Sequence, residues 1–165
     1  MEYGILAWGN ALPGKLKKLT NIQKKCIRNV GGYEFRSHTD PLFNKFNILK
    51  FEDLLEYNNK IFMHKLINEK QPQSFSNFLK KPNNFNAENN RRSFCFCVDK
   101  LKNNATGRSP SAVLPRSWNP LDQKYKFIDS HTTFKKTIYS QLIDKYPTIV
   151  NCKNRSCSQC FPTNN

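Results

Sequence analysis

One stretch of this chain has apolar side chains at helical spacing, and two breaks in the sequence limit where that stretch can begin and end. Pro13-Gly14 precedes it and Gly31-Gly32 follows it. Between them the apolar residues recur at the intervals of one helical face: Leu16, Leu19, Ile22, Cys26, Ile27 and Val30. The spacing predicts an amphipathic helix whose apolar face packs into a core, with Cys26 acting as a small core hydrophobe.

The same stretch carries basic residues and no acidic one: Lys15, Lys17, Lys18, Lys24, Lys25 and Arg28. Like charges at close spacing weaken an isolated helix, and a polyanion would relieve the repulsion. The whole chain has 27 Lys and Arg against 12 Asp and Glu, a formal net charge of +15. Such a charge attracts phosphate polymers and favours a nucleic acid as partner. The alternatives are a solvated helix face, a merely basic protein, or a protein that meets anionic lipid.

Three further segments have helical signals. Asp40 before Pro41 predicts an N-cap and a helix start. Apolar positions predict a long helix that begins near Lys50 to Glu52 and runs to Leu66, and a last helix from Ser130 or Thr132 to Lys145. The apolar residues of that last helix are Phe134, Ile138, Leu142 and Ile143.

The middle of the chain lacks this periodicity. Residues 80–92 are rich in Asn, Lys and Arg and are predicted to be a linker, and residues 103–120 hold several prolines and are predicted to be extended loop. Alternation around Phe94–Val98 indicates a short strand. The prediction is a mainly α fold: a small helical bundle with an irregular Pro- and Asn-rich middle, one C-terminal helix and a Cys-containing tail. The corresponding ranges are 1–80, 81–129 and 130–165.

The tail contains the one pattern that suggests a cofactor. Cys152, Cys157 and Cys160 form a C-x4-C-x2-C array, and two thiolates two residues apart can bind the same zinc ion. Tetrahedral zinc needs a fourth ligand, for which Cys95, Cys97 and His131 are the candidates. The alternative is a Cys-bearing tail without metal. Because the N-terminus has no leader pattern and the chain has no run of eighteen apolar residues, we expect an intracellular protein with no membrane partner.

Several short motifs occur in an order that points to a known family. The opening residues Tyr3-Gly4 and Trp8-Gly9 are followed by Gln23-Lys24-Lys25 with Ile27-Arg28, then by Asp40-Pro41-Leu42-Phe43, Ile48-Leu49, Asp53-Leu54, Arg92, Trp118-Asn119 and Phe134-Lys135. In this order they resemble the segment downstream of the polymerase palm in reverse transcriptases of jockey-like non-LTR retrotransposons. The likeness spans most of the chain, although each motif alone is short.

The resemblance implies a piece of an RNA-directed DNA polymerase that contains a helical thumb-like region and the family's C-terminal region. The family's palm holds magnesium with an Asp-Asp pair, and this chain has no such pair. We therefore expect no catalytic residue. The expected activity is nonspecific binding of RNA, DNA or an RNA/DNA hybrid by the six basic residues of the first long helix. The palm of the parent polymerase would be a second partner, and the expected location is the nucleus.

Two other hypotheses remain. The first is a truncated open reading frame without independent function, whose apolar palm-facing surface is exposed. The second is a zinc-stabilised adaptor that binds a protein. The histidines favour no other enzyme, because His38, His64 and His131 form no base–nucleophile pattern. His64 lies beside an apolar stripe, so we expect a hydrogen-bonded surface or boundary residue.

Overall fold

The computed structural model describes residues 4–68, 79, 95–98 and 106–148. Within these ranges the chain forms seven α-helices and one 3-10 turn, Thr106–Arg108, and no strand. The helices are α1 (Ile5–Trp8), α2 (Pro13–Gly31), α3 (Asp40–Lys45), α4 (Phe51–Ile67), α5 (Pro110–Trp118), α6 (Gln123–Lys126) and α7 (His131–Ile143). The predicted mainly α fold is confirmed, and α2, α4 and α7 are the three helices that periodicity indicated.

Helix α5 is the longest of the helices that the sequence did not predict, so the prediction of an extended loop over 103–120 is wrong where α5 lies. Pro110 is at the start of α5, where a missing N–H costs nothing and a fixed φ suits the helix. Pro115 lies inside the helix and is buried with Leu114 and Trp118. The two prolines thus mark a helix start and a packed face instead of turns.

Three other local predictions need correction or lie at least partly outside the described residues. Asp40 does not cap α3: Thr39 is the N-cap residue, with no side-chain cap hydrogen bond, and the Asp40 carboxylate pairs with Lys50 Nζ at 2.9 Å. Of the predicted strand, only 95–98 are described, and Cys97 is an isolated bridge residue there. The predicted linker over 80–92 lies outside the described residues.

The described helices contribute to two compact units. The first unit comprises the described residues of Met1–Ala11 and Leu55–Ile138. The second comprises those of Leu12–Leu54 and Tyr139–Asn165. Each unit is therefore built from two separate stretches of sequence.

The core of the first unit is centred on Phe134, which is fully buried. The His64 ring stacks on it with ring centroids 4.2 Å apart, and the Trp118 ring lies 5.9 Å away on a tilted plane. Aromatic pairs at these separations add to the stabilisation that burial provides. His64 is 1% exposed, so the expectation of a surface or boundary histidine is wrong, whereas its expected hydrogen bonding is confirmed.

A side-chain amide attaches the extended residues 95–98 to the end of α5. Asn119 Oδ1 accepts from the Phe96 N–H at 3.0 Å, and Asn119 Nδ2 donates to the Phe96 carbonyl at 2.8 Å. Lys126 Nζ donates to the Asn119 carbonyl at 3.0 Å. Burial lowers the pKa of Lys126, while Cys95 and Asp122 act in the opposite direction. The Asn119 side chain thus satisfies both the N–H and the carbonyl of Phe96.

Gly9 allows α1 to approach α4 closely. A Cβ at this buried position would lie 2.4 Å from the Ile5 carbonyl oxygen and 2.6 Å from Leu55 Cδ1. Real Cβ atoms do not occupy such positions, so the glycine after Trp8 has a packing role in the first unit.

We predict that Gly9→Ala destabilises the protein by about 1–3 kcal/mol, the usual cost of overpacking. Gly14→Ala is the matched control, because Gly14 is exposed in α2 and a Cβ there meets nothing within 4 Å. The control should gain up to about 1 kcal/mol from helix propensity. Urea unfolding followed by circular dichroism measures both, and equal stability of Gly9→Ala and the wild type would contradict the packing role.

Tyr146 joins the C-terminal part of the second unit to the start of α4. Its ring packs edge-on against Phe43, with centroids 6.2 Å apart. Its hydroxyl accepts from the Lys50 N–H at 3.0 Å and donates to Asp53 Oδ2 at 2.5 Å. Burial and the bond to Asp53 raise the pKa of Tyr146. Nearby, Asn44 Nδ2 donates to the Ile143 and Tyr146 carbonyls, at and just beyond the end of α7.

We predict that Tyr146→Phe costs about 1–3 kcal/mol at pH 7, because the ring stays but the Lys50 N–H and the Asp53 carboxylate lose their partner. Since the folded chain holds the phenolic proton more tightly, this contribution is complete below the unfolded-state pKa of about 10 and falls as the pH rises above it. The stability difference between wild type and Tyr146→Phe should therefore narrow at alkaline pH in urea titrations. A difference that is constant from about pH 7 to about pH 11 would contradict the assigned pKa direction.

Candidate nucleic-acid interface

Within the second unit, polar side chains of helix α2 bond to the start of α4 and the residues just before it. Gln23 Nε2 donates to the Leu49 carbonyl at 2.8 Å, and Gln23 Oε1 accepts from the Phe51 N–H at 2.9 Å. One turn earlier, Thr20 Oγ1 donates to Glu52 Oε1 at 2.8 Å. These bonds fix one side of α2 against the start of α4 and so determine which side faces solvent.

The end of α2 is closed by the two glycines that the sequence indicated. Gly32 has φ +67°, and the Tyr33 N–H bonds to the Arg28 carbonyl at 2.9 Å, as in a left-handed C-cap. A Cβ on Gly31 would lie 2.4 Å from the Tyr33 ring. Arg28 Nε donates to the Ser37 carbonyl at 2.8 Å, which ties the following loop to the helix.

The structure separates the six predicted basic residues into two groups by exposure. Lys24 and Arg28 are half-buried, and the exposed members are Lys15, Lys17, Lys18 and Lys25. None of the six forms an ion pair with a described residue; the ion pairs within the described ranges are Lys50–Asp40 and Lys60–Glu56. The positive charge of α2 is therefore not neutralised by the part of the chain that the structure describes.

The helical repeat arranges these charges on half of the helix surface. At roughly 100° per residue, the six side chains cover about 180° of the circumference. Lys15, Lys18 and Lys25 fall within about 80° of one another and span about 15 Å along the axis at about 1.5 Å per residue. This trio forms a single exposed basic edge, which can meet a phosphate backbone along its length.

The predicted apolar face of α2 is only partly buried. Ile27 is 5% exposed, whereas Ile22 is 50% and Val30 81% exposed. Cys26 is also exposed, so its assignment to the core is wrong. The inner side of α2 contains Leu16, Thr20, Gln23 and Ile27, and two of these are polar residues that an apolar pattern cannot find. Their spacing of four, three and four was the signal available in the sequence.

Ile22, Cys26 and Val30 consequently form an apolar strip on the solvent side of α2, next to the basic edge. The helical repeat places the three residues within about 80° of one another, one turn apart. An exposed apolar strip on a helix is typical of a surface that contacts another molecule.

The predicted zinc ligands are only partly described. Cys152, Cys157 and Cys160 lie outside the described residues. Of the candidates for the fourth ligand, Cys95 is half-buried, Cys97 is exposed, and His131 contacts His64. Among the residues that the structure does describe, no three His, Cys, Asp or Glu side chains converge as a metal site would require. No described helix combines the length and apolar character that a bilayer crossing demands.

Comparison with known proteins adds no relative. No protein-family model, curated protein or solved structure matches the chain. The resemblance to reverse transcriptases therefore stays a prediction that rests on the quoted residues.

We predict opposite outcomes for two neighbouring residues of α2. Ile27→Ala should cost about 2–5 kcal/mol, because it removes buried methyl groups and leaves a cavity. Cys26→Ala, the adjacent control, should change stability by less than about 0.5 kcal/mol, because its side chain is exposed. Urea midpoints at equal m-value measure both. If Cys26→Ala were the more damaging change, Cys26 rather than Ile27 would face the core and this orientation of α2 would be wrong.

Proposed function

We propose that this chain binds nucleic acids without sequence specificity and without catalysis, through the basic surface of α2. The observation that carries the proposal is the set of exposed lysines on a helix that has no acidic residue and no ion pair to the described residues. Uncompensated cations on a rigid element lower the free energy of a bound phosphate chain and release its counterions.

The proposed contacts are with the backbone and not with the bases. Lys15, Lys18 and Lys25 would each approach a phosphate along the basic edge, with Lys17, Lys24 and Arg28 adding to the positive potential. Lysine is a flexible point charge, so it positions a nucleic acid but reads little sequence. Trp118 is 1% exposed and cannot serve as a platform for an unpaired base.

The resemblance to non-LTR reverse transcriptases suggests what the partner is. We infer that this chain is a part of an RNA-directed DNA polymerase of the non-LTR retrotransposon type. In that polymerase the basic helix would hold an RNA/DNA hybrid in the nucleus, while a separate palm performs synthesis. The apolar strip on α2 supports this assignment, because a thumb-like helix that has lost its palm would expose such a surface. The exposed strip is equally expected for the second candidate function, which is a truncated chain without a function of its own.

Binding across a salt series separates the two candidates. We expect labelled RNA, RNA/DNA hybrid and duplex DNA to bind, with log Kd depending steeply on log salt and with two unrelated sequences of equal length binding alike. The test variant changes Lys15, Lys18 and Lys25 to Gln. The matched control changes three exposed lysines elsewhere, Lys124, Lys135 and Lys136, to Gln and so removes the same charge.

The test variant should lose roughly 2–3 units of the log–log slope for duplex DNA, at about 0.9 per phosphate contact, whereas the control should lose much less. Equal losses in both variants would show that the net charge alone drives binding and would contradict the role of α2. If the wild-type protein binds none of the three nucleic acids at low salt, the truncated chain without independent function is the better explanation.

A further inference from the structure

Two histidines of the first unit face each other with their ring nitrogens close together. His64 lies in α4, and His131 is the first residue of α7. Their Nδ1 atoms are 3.4 Å apart, and their rings are tilted by 33° with centroids at 5.5 Å. The geometry points to a transition-metal site in which these two Nδ1 atoms chelate one divalent ion such as Zn²⁺. This site is independent of the proposed nucleic-acid interface.

The tautomer of His64 leaves one ring nitrogen available to a metal ion. Its Nε2 lies 2.6 Å from the Ile128 carbonyl oxygen. A carbonyl can only accept, so Nε2 carries the proton, and in the neutral ring Nδ1 has a bare lone pair. Metal-binding histidines commonly donate their second ring N–H to a backbone carbonyl in this way, which fixes the ring orientation and increases the basicity of the ligating nitrogen.

The distance between the two Nδ1 atoms suits a shared metal ion. Zinc binds imidazole nitrogen at about 2.0–2.1 Å, and the tetrahedral angle then places two such nitrogens about 3.3–3.4 Å apart. The observed Nδ1–Nδ1 separation of 3.4 Å matches this value. Without metal, the same separation fits a long hydrogen bond in which His131 Nδ1 donates to His64 Nδ1, and a bound metal would displace that proton. The pair is thus spaced for a shared ion with little movement of either ring.

The surroundings hold His64 in this orientation. Its ring is stacked on Phe134 at 4.2 Å with planes 20° apart, and the side chain is 1% exposed. Asn68 Nδ2 lies 3.3 Å from His64 Nδ1 and 3.2 Å from His64 Nε2. Because the two distances are nearly equal, the amide nitrogen lies over the ring and does not block the Nδ1 lone pair. The same nitrogen donates to the His64 carbonyl at 3.0 Å. A ligand fixed by packing and by an outer hydrogen bond is preorganised for binding.

The ligand type restricts the choice of metal. Imidazole nitrogen suits Zn²⁺, Cu²⁺, Ni²⁺ and related ions, whereas Mg²⁺ and Ca²⁺ require oxygen ligands. Because no third His, Cys, Asp or Glu joins the pair among the described residues, water would fill the remaining positions. The expected site is a two-histidine chelate that connects α4 with α7.

The experiment must separate this site from the cysteines of the tail. We would therefore change Cys152, Cys157 and Cys160 to Ser and measure Zn²⁺ binding to this background protein by calorimetry. Three further changes are made in it: His131→Ala removes one ligand, His131→Cys replaces it with another zinc ligand, and His38→Ala removes a histidine of the second unit. Helical circular dichroism establishes that each variant is folded.

We expect the background protein and His38→Ala to bind one Zn²⁺ with the same Kd, and His131→Ala to bind at least tenfold more weakly. His131→Cys should recover binding to within tenfold. At free Zn²⁺ near about 100 times the Kd of the background protein, the folding equilibrium constant of the background protein should rise about 100-fold, and that of His131→Ala by no more than about 11-fold. The inference is overturned if the background protein binds no Zn²⁺, or if folded His131→Ala binds as tightly as the background does.

Discussion

The second unit depends on how the first turn of α4 obtains its hydrogen bonds. The first N–H groups of a helix have no partner within the helix, and burial without one is costly. Here the partners come from distant parts of the chain: Tyr146 accepts from the Lys50 N–H, and Gln23 accepts from the Phe51 N–H. Since Tyr146 also donates to Asp53 and Gln23 also donates to the Leu49 carbonyl, one turn of backbone joins three segments of sequence.

This arrangement determines which side of α2 faces solvent. Because Gln23 and Thr20 must point toward the start of α4, the helix is rotated so that Cys26 lies on the outside. A purely apolar interface would instead have buried the strip that contains Ile22 and Val30. The rotation leaves the basic edge and the apolar strip exposed side by side, so the proposed phosphate-binding surface lies next to exposed apolar side chains.

The sequence was sufficient for the features that depend on periodicity and on strong local signals. The three long helices follow from apolar spacing, and the end of α2 follows from Gly31-Gly32, where one glycine fits under Tyr33 and the other adopts positive φ. It was not sufficient where a residue type has two common uses. Pro110 begins a helix although proline also marks loops, and the role of Cys26 depends on which side of its helix packs.

The basic residues of the proposed interface could be predicted from the sequence, whereas the histidine pair could not. The six basic residues of the proposed interface could be named from their positions within one predicted helix, because a run of like charges is visible in the sequence without any knowledge of tertiary contacts. The pairing of His64 with His131 could not, because the two residues are 67 positions apart in the sequence and His64 is held by stacking against Phe134. Some polar residues that a search for apolar patterns passes over form important tertiary hydrogen bonds. Gln23 in the second unit and Asn119 in the first each bond to a backbone N–H and to a backbone C=O group.

The two proposed sites rest on different physics, so each can fail without the other. Phosphate binding by α2 is a Coulomb interaction at an exposed surface, and at about 1 M salt the Debye length falls to about 3 Å, which removes most of it. Coordination by His64 and His131 consists of bonds at about 2 Å that mobile ions do not screen. Zinc binding that persists at high salt, together with nucleic-acid binding that is lost, would show that the charge of α2 and the lone pairs of the histidines are separate properties of this chain.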